Sequence, residues 1–155
     1  MTHYIPKGYN TITPYLFIKN AAQALEFYKT AFGATELMRM AGPGGKIMHA
    51  EMQLGDSRFM LADENEEHGA KSPQTIGGTP GLLMIYVKDA DAISANAIRQ
   101  GAKMLRPMED KFYGDRSGAV IDPFGFIWEI STHTEDVSED EMRRRIEKMK
   151  SESCS

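Results

Sequence analysis

Two stretches of this 155-residue chain repeat one another, and the repeat limits the fold more than any other feature. PYLFIKNAAQALEFYKTAFGA (residues 14–34) lies over LLMIYVKDADAISANAIRQGA (residues 82–102), with Ile18 on Val87. Each reads as an apolar strand, a Lys-Asn or Lys-Asp step, an alanine-rich helix and a Gly-Ala exit. Self-similarity of this kind marks a duplicated structural unit. Asn20 and Asp89 suit helix N-caps, whose side chains accept from amides of the first turn. Ala21, Leu25, Tyr28 and Phe32 recur at helical spacing and give the first helix one apolar face. Gly33 and Gly101 suit the left-handed stop.

Both stretches run on into further β segments, residues 46–54 and 58–63 in the first and 117–121 and 126–131 in the second. Gly55-Asp56-Ser57 and Asp122-Pro123-Phe124-Gly125 supply the hairpin turns. Residues 35–41 and 103–108 leave room for one more strand per half, so each half is βαβββ once a one-residue gap is allowed. Module one then covers about residues 10–65, a Glu-, Gly-, Ser- and Pro-rich linker 65–80, and module two 81–133, all within one domain, 1–137. That linker is long for a plain connection and is a candidate lid or subunit contact. Ser138-Glu139-Asp140-Glu141 has capping-box spacing and opens a C-terminal helix and flexible tail over 138–155.

Charge and composition narrow the partners. The balance of 18 Lys+Arg against 22 Asp+Glu leaves a net charge of -4, without the field that would hold a polyphosphate backbone, so no nucleic-acid partner is expected. No stretch approaches the roughly 20 apolar residues of a membrane span, and residues 1–10 lack the basic start and apolar run of a secretory signal. A cytoplasmic protein without a membrane partner is the expectation. The lone cysteine, Cys154, allows no internal disulfide and no thiolate set for zinc.

YGDRSGAVIDPFGFIWEISTHTEDV (residues 113–137), ITPYLFIKNAAQALEFYKTAFGA near the start and HAEMQLGDSRFMLADE (residues 49–64) between them are similar to PhnB-like proteins of the vicinal oxygen chelate superfamily. That superfamily gathers glyoxalase I, extradiol dioxygenases, fosfomycin-resistance enzymes and bleomycin-binding proteins. The resemblance spans roughly residues 10–137. It implies an α+β fold of two tandem βαβββ modules forming a curved, partly open mixed sheet, with helices on the outer face and the site on the concave face. It also implies a homodimer. Four positions, two per half, can bind a divalent metal in such proteins. Carried through the repeat, they fall at Thr13, Leu61, Leu82 and Glu129. Only Glu129 keeps a metal-binding side chain, so neither a metal nor another cofactor is expected at those positions.

Strand alternation predicts what lines the pocket. With Leu61 and Glu129 pointing inward, Phe59, Asp63, Ile127 and Ser131 point inward too, while Met60 and Trp128 turn toward the helices. The first strands contribute Thr13, Tyr15, Phe17, Leu82, Met84 and Tyr86, and residues 48–54 contribute His49, Glu51 and Gln53. An apolar, aromatic pocket with a few polar groups suits a small-molecule ligand. Glu129 and His49 are the candidates for proton transfer, His49 with its neighbour Glu51. Those three could improvise a weak divalent-metal site, whereas the bland alternative bonds His49 to backbone and leaves Glu51 to solvent or Arg58. Tyr113 and Arg116 lie in a Gly-containing loop at the pocket mouth. Arg116 is a candidate fork for an anionic ligand or a partner in a surface ion pair. Two functions follow: a binder of a small partly aromatic or anionic molecule, or a glyoxalase-like lyase, isomerase or dioxygenase with a divergent or metal-free site.

Overall fold

The computed structural model describes residues 2–154; Met1 and Ser155, at the ends of the expected leaderless start and flexible tail, lie outside them. In chain order the elements are β1 (Tyr15–Ile18), α1 (Ala21–Phe32), β2 (Thr35–Ala41), β3 (Ile47–Leu54), β4 (Ser57–Asp63), α2 (Pro73–Ile76) and β5 (Leu83–Tyr86). They continue with α3 (Ala90–Arg99), β6 (Lys103–Asp110), β7 (Asp115–Ile121), β8 (Ile127–His133) and α4 (Glu139–Ser153). The strands form two four-stranded mixed sheets, β1-β4-β3-β2 and β5-β8-β7-β6. In each, the first strand runs parallel to the last, and the others pair antiparallel. The repeat in sequence is therefore a repeat in topology, the tandem βαβββ fold. Among the described residues no helix is long and apolar enough to cross a membrane.

The core lies between the sheets and the helices. Ala24, Leu25, Tyr28, Ala31 and Phe32 form the buried face of α1, as their three- and four-residue spacing dictates. Burying each large side chain of this set stabilises the fold by about 1.5–3 kcal/mol. Gly33 ends the helix at φ 74°, its amide donating to the Lys29 carbonyl and the Ala34 amide to that of Tyr28. Asn20 departs from expectation: it adopts the left-handed conformation, and its side chain caps nothing. The Ala21 amide donates instead to the Asp63 carboxylate, 3.0 Å away at the end of β4. In module two Thr132 accepts from Ala90 in the same way, although there Asp89 also caps through Ala92. The parallel β1/β4 and β5/β8 pairs place a polar side chain from the last strand at each helix start.

Asp122, in the β7–β8 turn, binds the modules together. It is 4% exposed and accepts from the Phe124 and Phe126 amides, from Trp128 Nε1 at 2.9 Å and from the Tyr28 hydroxyl of α1 at 2.7 Å. Burial pushes its carboxyl above the ordinary aspartate value despite those donors. The linker is bonded to both modules. Glu64 accepts from the Ser72 amide and the Thr75 hydroxyl, and the Gln74 amide donates to the Pro123 carbonyl. Helix α4 is capped by Ser138 through the Glu141 amide and continues to Ser153, so the expected flexible tail is helical over 151–153.

Candidate functional site

Each sheet turns one face to the helices and leaves the other open. In β1, Leu16 and Ile18 are buried while Tyr15 and Phe17 lie open; in β5, Met84 and Tyr86 are the open pair. Along β4 the expected alternation is inverted. Leu61 is 0% exposed in the core, and the Phe59 ring packs on the rings of Tyr28 and Trp128 at 5.8 and 6.1 Å. The cause is register. Tyr15 pairs with Met60 and Met84 with Glu129, so Met60, not Leu61, is the counterpart of Glu129. Phe59 is thus a core residue whose ring floors the cleft between the modules, not a member of the open face. That cleft, about 720 Å³, runs from Ile12 and Pro14 past the Leu54–Ser57 hairpin to Met84 and Tyr86.

On the open face of module one three side chains are joined. The Tyr15 hydroxyl lies 2.8 Å from His49 Nδ1, and His49 Nε2 lies 3.2 Å from Glu51 Oε1. Tyr9 closes this row from the N-terminal segment. Its hydroxyl is buried beside the Glu51 carboxylate without reaching hydrogen-bonding geometry to any group. Burial and that carboxylate push the Tyr9 phenol up to about 12. The nearby Tyr9 hydroxyl, then burial acting the other way, then His49 and Arg58 set the Glu51 carboxyl, and the balance holds it below the ordinary glutamate value. Arg58 lies 5.2 Å from the Tyr9 ring centre and donates to the Gln53 side chain and the Lys7 carbonyl.

Module two presents a second polar row. Glu129 accepts from the Ser117 hydroxyl at 2.6 Å and from Arg106, and Ser117 is bonded to Ser131 at 2.8 Å. Burial raises the Glu129 carboxyl, but Ser117 and Arg106 outweigh it and hold the group below its ordinary value. An ionised, doubly bonded carboxylate is a weak general base. Beside it, the Tyr86 hydroxyl donates to Asp115, which is also 2.7 Å from His133 Nδ1; His133 Nε2 faces Asp136 at 2.8 Å. Tyr113 sits on the adjoining loop, its ring against Phe112. That loop is pinned, because the Gly114 carbonyl accepts from Thr134 and Glu135, and a side chain at Gly114 would meet the Glu135 carbonyl.

Of the two expectations for Arg116, the structure shows the surface ion pair and not the anion fork at the pocket mouth. Adjacent residues on β7 alternate, and Arg116 falls on the face opposite Asp115 and Ser117. There its guanidinium forks onto Asp91 of α3 at 2.6 and 2.9 Å and reaches Asp110 at 3.3 Å. The cation that meets Glu129 on the open face of module two is Arg106. Sequence reading missed Arg106, Ser117, Asp115, His133 and Tyr9. Alternation from Glu129 through Ser131 to His133 would have found His133, whereas Arg106 and Tyr9 reach the site only through tertiary contacts.

The tandem-module metal positions, corrected for register, hold the Thr13 hydroxyl, the Met60 thioether, the Leu82 side chain and a Glu129 carboxylate already taken by Arg106 and Ser117. This donor set does not fit a hard or borderline divalent metal, which needs several imidazoles or carboxylates converging. Among the described residues no group of three or more His, Cys, Asp or Glu side chains is arranged to hold one. Protein purified without added metal is therefore expected to carry substoichiometric Mn, Ni, Zn and Fe by elemental analysis. Stoichiometric metal that survives dialysis and vanishes in Glu129→Gln would contradict this.

Comparison with known proteins agrees with the geometry. A family model described as the Glyoxalase/Bleomycin resistance protein/Dioxygenase superfamily matches residues 8–130. An uncharacterized protein of Mycobacterium bovis is 38% identical over 135 residues, 85% of this chain and 89% of that protein. The crystal structure of the Arabidopsis thaliana gene product At5g48480 superposes with a TM-score of 0.64 at 27% identity, covering 79% of this chain and 98% of that one. The PhnB protein from Bacillus cereus, at 18% identity and a TM-score of 0.60 over 79% of this chain and 99% of that one, shares the fold. By its modules, their register and these relatives, the chain belongs to the Glyoxalase/Bleomycin resistance protein/Dioxygenase superfamily.

Proposed function

We propose that this protein is a PhnB-like binder of a small, partly aromatic molecule, acting without the four-ligand metal centre, in a cavity that a second copy of the chain completes. One observation carries the reading. Tyr15, Phe17, Met84 and Tyr86 remain 41, 37, 42 and 64% exposed along the open faces of β1 and β5. Scattered exposed apolar residues are ordinary, but rows of them beside a cleft mark a binding surface. Both strands are sheet edges with unpaired backbone, which favours pairing with another strand. A twofold dimer laying β1 of one copy along β5 of the other turns the two open walls toward one cavity. The YGDRSG and DPFG stretches and the likeness to the Bacillus cereus PhnB protein support the subgroup. Metal-centred isomerase or dioxygenase chemistry has no support in the donor set.

Native mass spectrometry and titration with p-nitroanisole test this reading. A dimer is expected, with Phe17→Ala and Tyr86→Ala each weakening the probe about tenfold, near 1.4 kcal/mol, the scale of one aromatic contact. A monomer at concentrations that bind the probe, or wild-type affinity in both variants, would overturn it.

A further inference from the structure

We propose that Tyr15, His49 and Glu51 form a proton relay that accepts the hydroxyl proton of a phenol-class ligand bound on the open face of module one. The inference rests on reading that face as a ligand wall, and goes beyond it by assigning a chemistry and a ligand class.

Donors and acceptors fix where each hydrogen of the row lies. Glu51, ionised, has only acceptor oxygens, so the hydrogen between it and His49 resides on Nε2. A neutral imidazole protonated there offers a lone pair at Nδ1, and the Tyr15 hydroxyl 2.8 Å away must donate to it. Tyr15 thereby spends its only proton inward. Its oxygen turns lone pairs outward, on a side chain that is 41% exposed. What the wall presents to a ligand is an acceptor backed by two further groups already in line. The surroundings strengthen it: Met40 lies opposite His49, and Met38 and Met60 lie opposite Glu51, so the flanking strands add no competing charge at those register positions. The charged and titratable neighbours are Tyr9, whose buried hydroxyl lacks a partner, and Arg58, which is held by Gln53 and the Lys7 carbonyl.

The same geometry selects the ligand. A ligand that arrives as a carboxylate or phosphate anion brings acceptor against acceptor and has no proton to give to the relay, whereas a phenol becomes an anion only as His49 becomes the compensating cation. A hydroxyl on an aromatic ring fits both parts of the wall, because the Tyr15 and Phe17 rings lie 5.3 Å apart and offer the ring a surface beside the acceptor. The step balances without any other reagent. The ligand O–H bond breaks, and its electron pair stays on the ligand oxygen. Its proton forms a new O–H bond on Tyr15 while the original Tyr15 proton passes to Nδ1 of His49. The result is a bound phenolate and an imidazolium whose charge the Glu51 carboxylate offsets, and release of the ligand reverses it.

The experiment uses p-nitrophenol, whose phenolate has its own absorption band, with p-nitroanisole as a probe of like shape that carries no such proton. At a pH below the probe's own pKa, the wild-type protein should show the phenolate band on binding. His49→Gln and Glu51→Gln, each verified as folded by circular dichroism, should reduce the bound phenolate fraction at least tenfold, and Tyr15→Phe should do the same. Wild-type binding of p-nitroanisole together with neutral bound p-nitrophenol would sink the relay and leave the pocket reading standing. A phenolate band that persists in His49→Gln would also sink it. Failure of both probes to bind the wild-type protein would overturn the pocket and the relay together.

Discussion

Asp122→Ala should lower the unfolding free energy by about 4 kcal/mol or more, measured by urea denaturation. The substitution strips the acceptor from four donors: two backbone amides, the Trp128 indole and the Tyr28 hydroxyl. Each buried donor left unpaired costs about 1–3 kcal/mol, and water can reach the turn amides more readily than the indole or the phenol. A loss of this size is a large part of the roughly 5–15 kcal/mol that holds a domain of ordinary stability. Asp122→Asn should also be costly, because one of its two positions becomes a donor facing donors. Tyr28→Phe removes only one of the four bonds and should cost about 1–2 kcal/mol. The contrast matters because Tyr28 belongs to module one and Asp122 to module two, so this carboxylate couples the halves. If Asp122→Ala unfolded within about 1 kcal/mol of wild type, the coupling would lie elsewhere, in the apolar contacts of α1 with α3 and Trp128.

Leu61→Gln and Met60→Gln should differ sharply although the residues are neighbours. Leu61 is wholly buried against the helices, so the change loses an apolar side chain and buries an amide without partners, a cost of about 4 kcal/mol. Met60 lies half-buried on the open face, opposite Glu51, where an amide keeps access to water, and its replacement should cost about 1 kcal/mol or less. Urea midpoints for the two variants decide the matter. A lower midpoint for Met60→Gln than for Leu61→Gln would mean that β4 turns its faces the other way, restoring Leu61 and Phe59 to the cavity side and Met60 to the core.

Sequence by itself determined the duplicated βαβββ plan, the two helices with their buried faces, the hairpins and the open-face positions of Tyr15, Phe17, His49, Glu51, Met84, Tyr86 and Glu129. These follow from local periodicity, turn chemistry and repetition, which operate over a few residues and need no knowledge of distant contacts. Tertiary structure decided which face of β4 meets the core. Alternation assigns residues to two sides without saying which is inside, and a slip of one residue exchanges every side chain between them. The one-residue gap in the repeat, carried through to Leu61, produced that slip, because the longer turn at Asp122 takes it up before β8 begins. Tertiary structure also decided the charges. Sequence left Arg116 open between an anion fork and a surface ion pair, and α3 decides for the pair by bringing Asp91 to it, while Arg106 crosses from an edge strand to Glu129. Asp63 replaced Asn20 as the helix cap for the same physical reason. A hydrogen-bond partner is chosen by what packing brings within about 3 Å, and for these residues packing brought in a strand far away in the chain.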